Sequence, residues 1–361
     1  PNKKTTQAIN LDIKEDFTYT TQLVTIKGVK NKKNGMFVAQ KLLLDFTAFV
    51  PNNETGIPAD KIRMVMDKMI TPGDNVTFLE LEHLEIRNLR CQECSAELHR
   101  FIRVQYKMRS LFLNSVHFLD SGGRKIKHSL GGFWDNLITN NNFFIQGDAL
   151  GGLLLSDVGL DGKVLVEMLA AAKQRSDFVW YKYLQVLSLC NDEGIQDVGM
   201  VALFNFLFVS YNDHDPVIGS NLLMLQLKNI ALTFRLNDNT CEGCVAKFFF
   251  KRLSRSHITK LDISGNAIHL ESKFIEKFSK FMAKSNKFVH TIDMRSCQLP
   301  FRFYCDMWES AFDLSSHACL WTLKFLDLGE TGVQYTGPAA VSYIKHAINI
   351  IAEDANLSEP L

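Results

Sequence analysis

Two Cys-x-x-Cys pairs, Cys91-Gln-Glu-Cys94 and Cys241-Glu-Gly-Cys244, are the first residues whose type and spacing could do chemistry. Four thiolates in two such pairs form a donor set for one zinc ion, provided the fold brings them into a single tetrahedral shell. Asp213-His214-Asp215 offers two carboxylates and an imidazole for metal or acid–base work. Its flanking Asn212 and Pro216 also suit an ordinary solvated turn. Lys30, Lys32 and Lys33 could contact phosphate or simply solvate a hairpin tip, and Ser121-Gly122-Gly123-Arg124 lacks the spacing of a phosphate-cradling loop. No Gly-x-Ser-x-Gly, Walker or His-Glu-x-x-His pattern occurs. The expectation is a non-enzyme with no catalytic residue, no metal and no cofactor, for which a small-molecule substrate is not expected.

The elements that would position these groups are read from a recurring pattern. Ile258-Thr-Lys-Leu261-Asp-Ile263-Ser-Gly-Asn266-Ala-Ile268 fits L-x-x-L-x-L-x-x-N-x-L at every framework position. Physically, a short strand turns its aliphatic side chains into a core, and an Asn ties off the following turn. Weaker copies run along the chain: Leu81, Leu84, Ile86 and Cys91; Met108, Leu111, Leu113 and Phe118; Leu150, Leu153, Leu155 and Leu160; Leu184, Leu187 and Leu189. A fifth is read at Ala231, Phe234, Leu236, Asn239 and Cys241; a seventh at Val289, Ile292, Met294, Cys297 and Leu299; the last at Leu323, Leu326, Leu328, Thr331 and Val333. Their first positions are 27, 42, 34, 47, 27, 31 and 34 residues apart, enough for a strand plus a helix.

Helical periodicity fills the intervals. Val164, Leu165, Met168 and Leu169 recur at helical spacing, as do Phe274, Phe278 and Phe281, and Gly337-Pro338 opens a further segment. The 27 Phe residues suit uneven gaps between helices and sheet. Phe17–Val29 and Met36–Val50 are β-rich runs split by a basic turn at 30–35, and residues 58–70 read as a helix. The fold expected is therefore α/β: a horseshoe or arc of about eight irregular repeats over 76–350, with a parallel concave sheet and convex helices. Residues 1–75 form an N-terminal cap, a β-hairpin or degenerate repeat plus a helix, and 351–361 a polar tail.

With 40 basic and 39 acidic residues the formal charge is +1, which argues against bulk attraction to nucleic acid or anionic membrane. No apolar run is long enough to span a bilayer, and no signal-peptide pattern opens the sequence. Eight cysteines in 361 residues do not make a disulfide scaffold, and the three sequons (Asn53, Asn75, Asn356) are near chance, so a cytoplasmic home is expected. Cys91 and Cys241 fall on the same inward position of repeats about four apart, hence ~20 Å from one another at the usual strand spacing. Shared zinc is thereby disfavoured and core filling preferred.

Partner contacts are expected where the strand side chains alternate away from the core. That column reads Glu85, Phe112, Leu154, Ser188, Arg235, Asp262, Asp293 and Asp327; beside it stand Arg87, Asn114, Ser156, Cys190, Asn237, Ser264, Arg295 and Gly329. Glu85, Arg87, Phe112, Leu154, Arg235, Asp262, Asp293, Arg295 and Asp327 are the candidate partner-binding residues. Three aspartates stacked on adjacent strands repel one another unless a cation or basic partner offsets them, and Lys260, Arg295 and Lys324 are near enough in sequence to do so.

The repeats resemble the ribonuclease-inhibitor-like leucine-rich-repeat superfamily over about residues 76–350. Ile230–Asn239, a helix, then His257–Asn266 is similar to adjacent repeats of CARMIL-type actin regulators. The Val24–Gly28 and Met36–Ala39 strands resemble those of the pleckstrin-homology fold preceding them. The resemblance implies a non-catalytic, cytoskeleton-related scaffold that holds a protein partner on its concave face. A GTPase activator of the same superfamily is the alternative, needing an Arg such as Arg87 or Arg90 for phosphoryl transfer. A ubiquitin-ligation or innate-sensing adaptor would need a further domain.

Overall fold

The computed structural model describes residues 14–31, 36–49, 56–70, 76–78, 80–92, 94–105, 107–126, 151–173, 184–208, 221–235, 245–268, 272–297 and 325–327. It is mixed α/β and falls into two compact units, Pro1–Leu150 and Gly151–Leu361.

In the first unit, β1 (Lys14–Thr20), β2 (Val24–Asn31) and β3 (Phe37–Asp45) form an antiparallel meander. The first β-rich run thus holds two strands. It breaks where the Thr21 N–H donates to the Val24 carbonyl at 2.8 Å and the Val24 N–H returns to the Thr21 hydroxyl at 3.0 Å. After α1 (Ala59–Ile70), β3 pairs in parallel with β4 (Val76–Thr77) and β5 (His83–Arg87). Next come β6 (Arg90–Gln92), α2 (Ser95–Arg103), β7 (Ser110–Asn114) and β8 (His117–Leu119). β5 pairs in parallel with β7, and β6 with β8. Strand β3 is therefore both hairpin member and first parallel strand: Leu42 lies opposite Leu84 and Leu44 opposite Ile86, all four buried.

The second unit alternates strand and helix: β9 (Gly152–Ser156), α3 (Gly162–Lys173), β10 (Val186–Cys190), α4 (Gln196–Leu207), β11 (Met224–Gln226), α5 (Val245–Leu253), β12 (Lys260–Asp262), α6 (Ser272–Lys280), β13 (Thr291–Asp293) and β14 (Phe325–Asp327). All six strands are parallel and pair in chain order. Leu153, Leu155, Leu187, Leu189, Leu225, Leu227, Leu261, Ile263, Ile292 and Met294 are buried. Rings of Phe204, Phe208, Phe234, Phe249, Phe250, Phe274, Phe278 and Phe281 pack in a continuous chain, with centroids 4.7–5.9 Å apart. Two glycines set the approach of α3 to α4: a Cβ on Gly162 would meet the Ile195 carbonyl oxygen at 2.5 Å, and one on Gly199 would meet the Gly162 Cα at 3.1 Å.

One turn recurs after the strands. The second residue beyond the second inner aliphatic has positive φ in seven successive strand units: Asn88, Ser115, Asp157, Asn191, Asn229, Gly265 and Ser296, between 51° and 69°. Asn, Asp and Gly tolerate this left-handed region best. Its N–H donates to the next strand's carbonyl: Asn88 to Asn114 (2.9 Å), Asp157 to Cys190 (2.9 Å), Asn191 to Lys228 (3.0 Å), Asn229 to Ser264 (2.9 Å) and Gly265 to Arg295 (2.8 Å).

This recurrence corrects the fifth repeat. Its strand is Met224–Gln226, with Leu222, Leu225, Leu227, Ile230 and Leu232 buried. Ala231 and Arg235 lie in no strand. With Leu222 as first position, the steps on either side become 38 and 36 residues in place of 47 and 27. Ile230 stands where the pattern calls for Asn, and the next repeat supplies the missing polar atom: Asn266 Oδ1 accepts the N–H of Ile230 (3.1 Å) and Leu232 (3.0 Å). The helices expected at 58–70, 162–172 and after Ser272 are present; that opened by Gly337-Pro338 lies outside the described residues.

Candidate binding face

Strands β5, β7, β11 and β13 bury alternate side chains and leave those between them half-buried on the other face, whereas β9 and β10 also bury Ser156 and Ser188 on that face. In the first unit Leu43, Glu85 and Phe112 form one row, and Asp45, Arg87 and Asn114 the next. In the second unit Leu154, Ser188, Gln226, Asp262, Asp293 and Asp327 lie opposite one another strand by strand. The corrected register puts Gln226 where Arg235 was expected. Arg235 leaves the sheet altogether: its N–H, with those of Thr233 and Phe234, donates to the Asp197 carboxylate at 3.0–3.1 Å.

The three aspartates do occupy adjacent strands. Asp293 is held by Arg295, whose Nη2 lies 2.6 Å from Oδ2 and whose Nε donates to both carboxylate oxygens at 3.0 and 3.1 Å. Burial pushes the Asp293 carboxyl up, but the Arg295 side-chain and backbone hydrogen bonds, then the charges of Arg295 and Lys228, outweigh it and hold the pKa below the ordinary value. Asp262 is held by neutral groups: Ser264 Oγ (2.7 Å), the Ser264 N–H (2.9 Å) and Gln226 Nε2 (3.4 Å). Lys228, one alternation beyond Gln226, is exposed. Asp327 lies opposite Asp293 along the backbone, and Lys324 is outside the described residues. Among the described residues Arg295 pairs directly with Asp293, and the charge of Lys228 acts on the same carboxylate.

Elsewhere on this unit Ser188 and Cys190 are 3.1 Å apart through Oγ and Sγ, and Asn191 Nδ2 donates to Ser156 Oγ at 2.9 Å. Burial pushes the Cys190 thiol up, away from a reactive thiolate. On the first unit Arg87 Nε donates to Glu85 at 2.5 Å, which occupies the guanidinium that an activator would need, while Arg90 is exposed at the start of β6. Phe112 and Leu154 are half-buried, so each offers apolar surface without standing clear of its neighbours.

Cys91 and Cys94 are fully buried, and their sulfurs are joined, with Cα atoms 6.0 Å apart. The first pair is thus occupied with itself. Cys241, Cys244, Asp213, His214, Asp215, Lys32 and Lys33 lie outside the described residues. Among the described residues no cluster of three or more His, Cys, Asp or Glu side chains could hold a metal ion, and no helix is long and apolar enough to cross a membrane. No protein-family model matches the chain, and no curated protein matches it either.

Sequence reasoning missed Gln226 and Lys228 because it anchored the fifth repeat on Asn239. The signal that finds them is Leu222-x-x-Leu225-x-Leu227 followed by Asn229, the left-handed position of every other repeat.

Proposed function

We propose that this chain is a non-catalytic interaction scaffold, a leucine-rich-repeat array of the ribonuclease-inhibitor-like kind. In this reading it docks a protein partner on the open face of its sheet. The observation that carries it is the row Leu154–Ser188–Gln226–Asp262–Asp293–Asp327, brought into register by parallel pairing and by the same left-handed turn after β9, β10, β11, β12 and β13. A backbone ladder of this sort fixes the half-buried Leu154, Gln226, Asp262 and Asp293 before a partner arrives, with Ser188 buried between them, so little ordering entropy is lost on binding. Asp262 and Asp293 give the row an acidic stretch on which a basic partner surface would be favoured. The CARMIL-type likeness of residues 230–266 makes a cytoplasmic, cytoskeletal setting the one to test first. The alternative, GTPase activation through Arg87 or Arg90, would use an Arg87 whose Nε is already bonded to Glu85 or an exposed Arg90.

The test is affinity capture from cell lysate by the wild type and by an Asp262→Lys/Asp293→Lys/Asp327→Lys variant, with folding compared by circular dichroism. A protein retained by the first and lost from the folded second supports the reading. Identical capture by both removes the acidic stretch from the binding site.

A further inference from the structure

A second feature of the sheet lies in the first unit and is of opposite sign. Lys27 on β2 stands directly opposite Lys41 on β3, and Lys41 directly opposite His83 on β5. Two lysines and an imidazole therefore occupy one face on consecutive strands, ~4.8 Å apart, with a register shift in the β2–β3 pairing between Lys27 and Gly28. Lys27 and Lys41 are exposed, and neither makes a hydrogen bond or ion pair among the described residues. Like charges directly opposite one another on a sheet destabilise the pairing. His83 feels this: burial first, then the charges of Lys41 and Arg109, hold its imidazole below the ordinary pKa, against the pull of Glu82. Its Nδ1 is engaged with Ser110 Oγ at 2.6 Å, which leaves Nε2 as the ring's remaining polar atom.

The next row along the same strands is apolar at two places. Leu43 follows Lys41, and Phe112 follows Ser110, with Glu85 between them and bonded to Arg87. Both Leu43 and Phe112 are half-buried. We propose that this face of the first unit is a docking row for an acidic, leucine-bearing segment of a partner protein, with Lys27 and Lys41 receiving its carboxylates and Leu43 and Phe112 its apolar side chains. The inference rests on the reading of the sheet as a docking face and names the chemistry of one occupant.

A peptide fits better than an anionic membrane surface. Asp45 stands on the same face two residues beyond Leu43, its carboxyl held ionised by Thr47 and Asn88. A flat sheet of phosphates would meet that charge, whereas a peptide can lay its acids along the lysine row alone.

The experiment is fluorescence anisotropy with a labelled peptide alternating Glu and Leu, against a Gln–Leu control of equal length. The wild type should bind the acidic peptide at least ~10-fold more tightly than the control, and weaken as added salt shortens the screening length. Lys27→Glu/Lys41→Glu should remove that preference, and Lys27→Gln/Lys41→Gln should reduce it by less, with circular dichroism confirming that both variants fold. Phe112→Ala should weaken binding without changing its salt dependence. Equal binding of the two peptides, or full affinity in the charge-reversed variant, overturns the proposal. So does binding to phosphatidylserine vesicles by a wild type that ignores the peptide. Should the row fail while lysate capture still depends on Asp262 and Asp293, only the row falls and the scaffold reading stands.

Discussion

Asp192 offers the sharpest test of the repeat geometry. It takes the place in the fourth repeat that Asn266 takes in the sixth. Asn266 bonds both ways: its Oδ1 accepts two N–H groups, and its Nδ2 donates to the carbonyls of Leu227 (2.7 Å) and Ile263 (2.8 Å). Asp192 accepts the N–H groups of Val158 (3.3 Å), Gly159 (2.8 Å) and Leu160 (3.2 Å), but an ionised carboxylate has nothing to donate. Only 5% of the residue is exposed. Burial pushes its pKa from 3.8 to about 6, against the pull of the three N–H groups and with the help of the Asp157 charge. A folded-state value above the unfolded one means that the native chain binds more protons between about pH 4 and 6, so stability is fullest below that window and falls as pH rises through it. Above pH 7 the ionised carboxyl costs ~3 kcal/mol, of which ~1.4 kcal/mol accrues between pH 5 and 7.5. Asp192→Asn keeps an acceptor, adds two donors facing the carbonyl positions equivalent to those Asn266 uses, and removes the charge. Urea unfolding of both proteins at pH 5 and 7.5 should find the variant more stable by 1–3 kcal/mol at the higher pH on this estimate, with a smaller gap at the lower. A variant less stable at both, or a gap that ignores pH, would show that the three N–H groups favour the anion and would sink the reasoning.

Gly265→Ala should lose ~1–2 kcal/mol, because its φ of +69° is left-handed and a new Cβ would sit 3.3 Å from that of Asn229; thermal unfolding reads the loss directly. Gly162→Ala should cost ~1–3 kcal/mol by driving a methyl into the Ile195 carbonyl at 2.5 Å and forcing α3 from α4. Phe249→Ala, at the junction of three ring contacts with Phe204, Phe234 and Phe250, should cost ~3–5 kcal/mol, read as a shift in the denaturation midpoint. Arg295→Ala should change stability by no more than ~1 kcal/mol, since its guanidinium is exposed, yet raise the Asp293 pKa in a carboxyl-carbon NMR titration by leaving only the backbone N–H of residue 295 and the charge of Lys228 against burial.

Most of the strand framework was legible because burial has a period. Leu84 and Ile86, Leu111 and Leu113, or Leu187 and Leu189 are spaced two apart and preceded by an aliphatic three residues earlier, which only an inward-turned short strand satisfies. The fifth repeat escaped because its template Asn is Ile230, and its turn is tied by the Asn266 amide reaching from the following repeat. A search for one residue type in one strand cannot see a bond supplied by the next. The first β-rich run escaped for a similar reason. Thr21-Gln22 carries no Gly, Pro or Asn, yet the Thr21 hydroxyl closes the turn that such residues would mark.

The candidate face was legible only as positions, and the turn explains why. The ladder that aligns the strands runs through backbone N–H and C=O groups at Asn88, Asp157, Asn191, Asn229 and Gly265, which asks of those residues little more than tolerance of positive φ. The core asks its neighbours only to be aliphatic. Lys41 and Lys228 answer to neither constraint, whereas Glu85, Gln226 and Asp262 are tied to neighbours on the face itself. In the proposed reading it is the chemistry of the unconstrained positions that a partner would select. On that reading the lysine opposite a lysine on β2 and β3, where regular pairing favours a neutral or opposite charge, is the described position at which the docking proposal is most directly tested.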